Sequence, residues 1–479
     1  MGADIPDWAL KDREKGTEIR YLNGQYYLYR VTSKYDPAIK RSRKITLEYL
    51  GKITPDGLLK PKAIRVMDEL QYITNREYGA SSFILSACSD TIDLLKTHFP
   101  DEWKEIAICS IVRFFHSAPM NNMQLRYVSS HLFDAIPDAK VSPESVSNLL
   151  HYTGLCRQCV VDFMSNFVKG EQRVIDLTHV FSWSENVVAV TLGHNSGGGF
   201  IPQLNIVLLT SVRGNHPSFF RIVPGSIGDV STIKMTMREA GISGADAVLV
   251  GDKGFYSKEN MRFLERERMR YILPLKRDSA FIDYSPARGD IRTGFDGCFM
   301  FDDRVIWHRM KKTGKRRVIL FLDEDLRTEE GRDMIARIKD GKGKMSSYHE
   351  QMQKMGTIAV ITNTTARAHK VYELLKRRIE IEQTFDTFKN TLHADRSYMR
   401  SDVSMQGWMF INFVALLLYY RVYDLLFRKK MLKKYSPKDV LLHLSLISKM
   451  KIGDRWVLSE IPKQSRILME KLGIEVPIP

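Results

Sequence analysis

The amino-acid sequence predicts an α/β protein in which a mixed sheet flanked by helices carries a β-rich insertion and is bordered by helical regions. Three observations lead there. Segments rich in β-branched and aromatic residues follow one another as RVIDLTHVFS, NVVAVTLGH and FIPQLNIVLLTSV, which predicts antiparallel pairing of sequential strands. A helix-type segment, STIKMTMREAG, then leads into the apolar strand DAVLVGD, the alternation expected of a layered α/β core. Apolar residues spaced at three and four dominate the stretches from Pro61 to Val168 and beyond Thr364.

Taken in order, residues 1–60 read as a small β-rich unit, because Asn23-Gly24 stands between two runs of β-formers and is a strong hairpin signal. Its basic run, Lys40 to Lys44, reads as a solvated hairpin loop within reach of phosphate. Residues 61–168 are helical, and Ser142-Pro143-Glu144-Ser145 offers an N-cap followed by an early proline. That region is either a packing layer or a DNA-binding element. Residues 169–262 hold the first part of the sheet, where Gly197-Gly198-Gly199 lacks the lysine and helix of a phosphate loop and reads as a hairpin loop. Asp229 reads as a helix cap.

Residues 263–354 look inserted, since FDGCFMFDDRVIWHRMKKTGKRRVILFLDED alternates as long hairpin strands around Thr313-Gly314. Residues 355–430 return to the core with the strand TIAVITN, a long helix from about Thr364 to Leu392 and an apolar helix from about Met405 to Leu426. The tail, 431–479, reads as helical and amphipathic, with Arg428, Lys429, Lys430, Lys433 and Lys434 at its start.

The 479 residues predict several domains, and a net charge of +16 with a pI near 9.4 gives a field that attracts polyanions, so nucleic acid is the leading partner class. A soluble enzyme that happens to be basic fits the charge equally well. The five cysteines are few and scattered, which suits a reducing cytoplasm better than a disulfide framework. Cys156 and Cys159 form one C-x-x-C, but no second pair follows to complete a zinc site. The start of the chain alternates acidic and basic residues without the apolar core of a secretory signal. The longest apolar stretch, Trp408 to Tyr420, falls short of the roughly 20 residues a membrane helix needs, so no membrane partner is expected.

Three carboxylates stand out. Asp176 lies in VIDLT, where strand alternation sets it among apolar neighbours and a charge is costly unless paired or metal-bound. Asp252 ends the strand DAVLVGD where a glycine-containing turn begins, and ligands gather at such strand ends. Glu382 shares one helical face with Arg378 and Lys389, a pattern that charged helices also show for structural reasons.

Together these segments resemble the DDE transposases of the IS4-related group, in particular its IS1634-like family, over most of the chain. The D-x-T of that family is matched by Asp176 and Thr178, and its D-x-G-(F/Y) by Asp252, Gly254 and Phe255. Its Y-x2-R-x3-E-x6-K is matched by Arg378, Glu382 and Lys389, with Leu375 in the tyrosine position and Tyr372 one turn earlier as a partial substitute. Gly214 with Pro217, then Pro224, Gly225 and Asp229, then Ile381, Glu382 and Phe385 match further family features in the same order.

The resemblance implies an RNase H-like catalytic core, a mixed five-stranded sheet whose first three strands are antiparallel. It implies cut-and-paste transposition: metal-dependent cleavage at transposon ends and strand transfer into target DNA. Asp176, Asp252 and Glu382 would be catalytic and hold two Mg²⁺ ions, with Mn²⁺ as a substitute, because hard cations prefer oxygen ligands. Arg378 and Lys389 would bind DNA phosphates, with Tyr372 as a further DNA contact. Trp307, beside the basic turn Lys311 to Arg317, would stack on an extruded base, unless it packs the insertion's own small core. The partners would be double-stranded DNA, as terminal inverted repeats and target, and a second copy of the chain in a homodimer on DNA. The location would be cytoplasmic and prokaryotic. A nuclease of the same fold without strand transfer, or a catalytically reduced DNA-binding derivative, are the alternatives.

Overall fold

The computed structural model describes residues 5–37, 40–62, 64–65, 73–168, 173–194, 200–211, 216–225, 230–242, 248–251, 256–289, 291–376, 384–453 and 455–475. They form two units: Met1–Glu77 with Ile447–Ile461, and Tyr78–Leu446 with Pro462–Val476.

In the first unit, β1 (Thr17–Leu22) and β2 (Gln25–Asp36) meet at Asn23-Gly24. Both turn residues have positive φ, 49° and 80°, which a two-residue hairpin turn of this kind requires and which these residue types tolerate. β3 (Arg41–Thr54) and β4 (Gly57–Leu59) complete an antiparallel sheet in the order β1-β2-β3-β4. Its small core of Ala9, Leu28 and Ile53 lies at one end, with Trp8, Ile19, Tyr26, Leu50 and Leu58 packed on it. Beyond that core the paired part of β2 and β3 runs on as a two-stranded ribbon, exposed at residues 32–35 and 40–49. β5 (Thr74–Glu77) belongs to a second small sheet of this unit.

The second unit begins with a helical layer. Helices Trp103–His116 and Pro143–Leu155 are its centre, the latter capped as expected by Ser142, whose hydroxyl accepts from the Ser145 amide at 3.2 Å. Against both packs the helix Asp402–Arg428, longer than the apolar stretch read from the sequence. It is long and apolar enough to cross a membrane, but 72% of its most apolar window is buried inside the protein, as expected of a core helix. Gly154 and Gly407 mark the crossing: a Cβ on Gly154 would meet the Val403 carbonyl, and one on Gly407 the Leu150 carbonyl.

The main sheet contains β6 (Arg173–Phe181), β7 (Thr191–His194), β8 (Phe200–Ser211), β9 (Pro217–Pro224), β10 (Val248–Val250), β11 (Arg270–Pro274), β12 (Gly297–Phe301), β13 (Arg304–Thr313), β14 (Arg316–Asp323) and β15 (Thr357–Thr362). Its middle runs β9-β8-β6-β10-β11. β6, β8 and β9 are antiparallel neighbours, while β10 is parallel to both β6 and β11. Helices Val230–Glu239 and Lys258–Arg266 make the crossovers into β10 and β11. The sheet is mixed, as expected, but among the described residues it has ten strands and not about five, and β9, which was not read from the sequence, takes the antiparallel place expected of β7. The short β7 lies along the start of β8 instead of filling a place in a simple meander.

The inserted region departs from expectation. β12, β13 and β14 form the predicted antiparallel strands, turning after Thr313 at Gly314 (φ 63°), but β14 pairs with β15 and thereby extends the main sheet. Val318 to Asp323 are all buried, so that strand needs neighbours on both faces and edges. Residues 324–351 are largely helical, as Glu324–Lys339 and Met345–Gln351, so the insertion is not uniformly β. The tail departs too: between helices Pro437–Ser445 and Lys463–Leu472 lie β16 (Ser448–Ile452) and β17 (Arg455–Leu458), and β16 pairs with β5. Gly453, at φ 60°, turns between them.

Cys156, between helices Pro143–Leu155 and Arg157–Ser165, is joined in a disulfide to Cys159 in the second of them, against the expectation of thiols. Their Cα atoms are 5.4 Å apart, within the span that a disulfide bridges. Cys88 and Cys109 are buried thiols, each pushed up to about 12 by loss of solvent, and Cys298 is exposed.

Candidate active site

The centre of the sheet positions the first carboxylate. The backbone of Asp176 pairs with Leu208 in the β6–β8 ladder, and on the other side Val174 pairs with Val250 of the parallel β10. The Gly251 amide, just past β10, donates to the Ile272 carbonyl at 3.3 Å, so the sheet holds the chain up to the residue before Asp252. The Asp176 side chain, Asp252, Arg378 and Glu382 lie outside the described residues, as do Gly197, Gly198, Gly199, Gly214, Gly254, Phe255, Asp229 and Ile381.

The chain from residue 384 onward approaches the end of β6. The expected long helix is present as Ala368–Lys376 and again from residue 384, closing in a turn of π-helix, Thr387–Thr391. Phe385 and Phe388 are buried, and the Thr384 and Tyr420 hydroxyls bond at 2.6 Å, which fastens this stretch to the 402–428 helix. π-turns of this sort recur at functional sites.

Lys389 is half-buried there, and desolvation holds its ammonium below the usual lysine range, partly offset by Asp395. It lies within electrostatic reach of His179, three residues beyond Asp176 on β6. Burial first, and Lys389 second, depress that imidazole. The chain then runs alongside the end of β6. The Phe181 amide donates to the Asp395 carbonyl and the Ser397 amide to the Phe181 carbonyl, both at 2.9 Å.

Arg113 fixes this junction from the helical layer. Its guanidinium is buried and desolvation holds it down to about 10. Its Nε donates to Asn412 Oδ1 at 3.0 Å, Nη1 to the Ala118 carbonyl at 2.9 Å, and Nη2 to the Leu392 carbonyl. The fork therefore ties helix 103–116 to helix 402–428 and to the end of the π-turn. Neither Arg113 nor His179 was singled out by sequence reasoning. An arginine inside the apolar run SIVRFF and a histidine three places after Asp176 were the available signals.

Next to the end of β6 lies a groove of about 770 Å³, lined among others by Arg113, His393, Asp395, Arg396 and Arg400. Arg396 sits 5.7 Å over the exposed ring of Trp183, and Tyr398 is 79% exposed beside it. Cationic and aromatic groups together suit a nucleic-acid strand.

Two predicted DNA contacts sit elsewhere. Tyr372 is fully buried, with Phe299, Phe301 and Phe321 around its ring at 5.6, 5.3 and 5.0 Å, so it cannot substitute at the surface for the tyrosine replaced by Leu375. Helix 368–376 turns Tyr372 towards the extended sheet, and Leu375 is buried as well. Trp307 is half-buried against Ala287, Phe295 and Leu322, its ring 6.2 Å from that of Phe295. It packs a small satellite core, the alternative role left open by the sequence.

No match is found among curated proteins. A solved piggyBac transposase synaptic complex with hairpin DNA superposes with a TM-score of 0.38 and 11% identity, over 71% of this chain and 69% of that one. That likeness is too loose to carry weight. The description "Transposase DDE domain" belongs to a family model that matches residues 168–418, more than half of the chain, and the chain therefore belongs to the transposase DDE domain family.

Proposed function

We propose that the protein is a DNA transposase of the IS4-related, IS1634-like branch, cutting transposon ends and joining them to target DNA on an RNase H-like core. Asp176, Asp252 and Glu382 would be its catalytic carboxylates. The observation that carries this reading is the β6–β10 register. Val174 pairs with Val250 in parallel, and continuing that register by two residues would bring Asp252 beside Asp176. Family membership supports the same assignment.

By the resemblance the third carboxylate would be Glu382, seven residues before Lys389, and the chain beyond Lys389 bonds to the end of β6 through residues 395–397.

Two aspartates and a glutamate form an oxygen-only donor set, which fits hard divalent cations such as Mg²⁺ or Mn²⁺. Bound there, two such ions would supply the Lewis acidity that phosphodiester chemistry needs. The chain's own residues would do the positioning. Lys389 and Arg378 would hold phosphate oxygens, and the groove of Arg396 and Arg400 would guide the strand leaving the site. Half-burial of Lys389 strengthens its attraction for a phosphate, because water screens it less. The working assembly would be a homodimer on DNA, so that two ends are joined together.

The test is a plasmid carrying the DNA that flanks this reading frame, incubated with protein and Mg²⁺. Asp176→Asn, Asp252→Asn and Glu382→Gln should each lower end cleavage by about 100-fold or more, while DNA affinity stays within a few-fold. Cleavage at the wild-type rate by any of them would sink the assignment. Nicked ends without joined products would instead favour a nuclease.

A further inference from the structure

We propose that the β2–β3 ribbon of the N-terminal unit is a DNA-binding arm that lies in the major groove of a duplex. This rests on the reading of DNA as the substrate, and it concerns a surface in the other unit from the candidate active site.

The ribbon has no core of its own to bury. From Val31↔Thr46 to Asp36↔Arg41 the strands pair residue by residue, a run of about 20 Å. Nearly every residue along it is exposed, including Tyr35 at 61% and Leu47 at 60%. A bare two-stranded ribbon is marginally stable in water, so its retention calls for a reason other than packing.

The charges indicate the occupant. Lys34 lies directly across the ladder from Arg43, a like-charge pair that destabilises an isolated hairpin. Arg41 follows on the same face, where it stands across the ladder from Asp36, and Lys40 stands at the tip. Among the described residues no ion pair holds Lys34, Arg41 or Arg43, whereas neighbouring Lys44 is tied to Glu18 at 2.8 Å. Two facing cations left unneutralised attract an anion between them, and a row of them attracts a polyanion.

Shape selects among polyanions. The major groove of B-form DNA is about 12 Å wide and admits a two-stranded ribbon, whereas the major groove of an RNA duplex is too narrow for side chains to read.

The experiment uses the full chain and a fluorescein-labelled 40-base-pair duplex of arbitrary sequence, titrated by anisotropy at several KCl concentrations. The triple substitution Lys34→Gln, Arg41→Gln, Arg43→Gln should flatten the log-affinity against log-salt slope by roughly two to three. At low salt it should weaken binding about tenfold or more. A second measurement needs no variant: saturating duplex should protect the wild-type ribbon from trypsin at Arg41 and Arg43. If the wild type binds no duplex, the reading of DNA as substrate fails. If it binds, and both slope and trypsin cutting are unchanged, the ribbon proposal alone is overturned.

Discussion

Lys389 and Tyr372 were both drawn from the motif around Glu382, Tyr372 as a substitute for the tyrosine that Leu375 replaces, and their surroundings differ, because place in a motif does not say which side of the helix meets the sheet. Lys389 emerges beside β6, while Tyr372 is enclosed by three phenylalanines. Trp307 gives a stability prediction. Full truncation of a buried tryptophan costs about 3–5 kcal/mol, and half-burial lowers that to about 2 for Trp307→Ala, read as a shifted urea midpoint. Cleavage per folded molecule should survive. A loss of cleavage with unchanged stability would return Trp307 to DNA contact. His116 gives a pH prediction. Burial, Arg126 and Lys438 hold its imidazole down to about 4, so the folded state resists the proton that the unfolded chain accepts. Its contribution is complete above pH 6.5 and fades as pH falls towards 4. His116→Gln should therefore flatten the fall in urea midpoint between pH 7 and 4.5, and an unaltered profile would count against it.

Helices and strands were more legible than side chains. The Asn23-Gly24 hairpin, the Ser142 cap and strands β6, β7, β8 and β10 follow from local pattern, since turn chemistry and alternation act over a few residues, whereas β9 was not read. The tail was misread because SKMKI and RWVL are short and flanked by helices, so their strand character emerges only when β16 meets β5. The crossing of helices 143–155 and 402–428 was equally invisible, because nothing in either segment announces the other. Gly407→Ala tests it. Alanine gains about 1 kcal/mol in helix propensity over glycine, but its methyl group would push against the Leu150 carbonyl, a backbone atom that cannot rotate away. Overpacking of this kind costs about 1–3 kcal/mol and more when backbone must move, so a net loss of about 2 kcal/mol is expected. A Gly407→Ala protein more stable than wild type would show that the helices can part cheaply.

Across the whole molecule, sequence order and spatial order diverge most in the main sheet. β12 to β14 were legible as hairpins, but their continuity with the sheet depends on β14 lying against β15, a pairing between distant segments. Excising residues 297–323 and closing the gap with a short linker should therefore yield an aggregated protein. It would uncover the apolar edge of β15, an open template for other chains. A soluble monomer with native circular dichroism would mean that those strands are dispensable. The small sheet of the N-terminal unit has a different consequence. β5 is laid down early in synthesis, and its partner β16 emerges some 370 residues later. While the ribosome works through the intervening segment, β5 has an unpaired edge and the unit is incomplete. A polypeptide released just before residue 447 would carry the basic ribbon and the whole transposase DDE domain match, residues 168–418, but never close that sheet. The closing of that small sheet thus waits on the synthesis of residues 448–452.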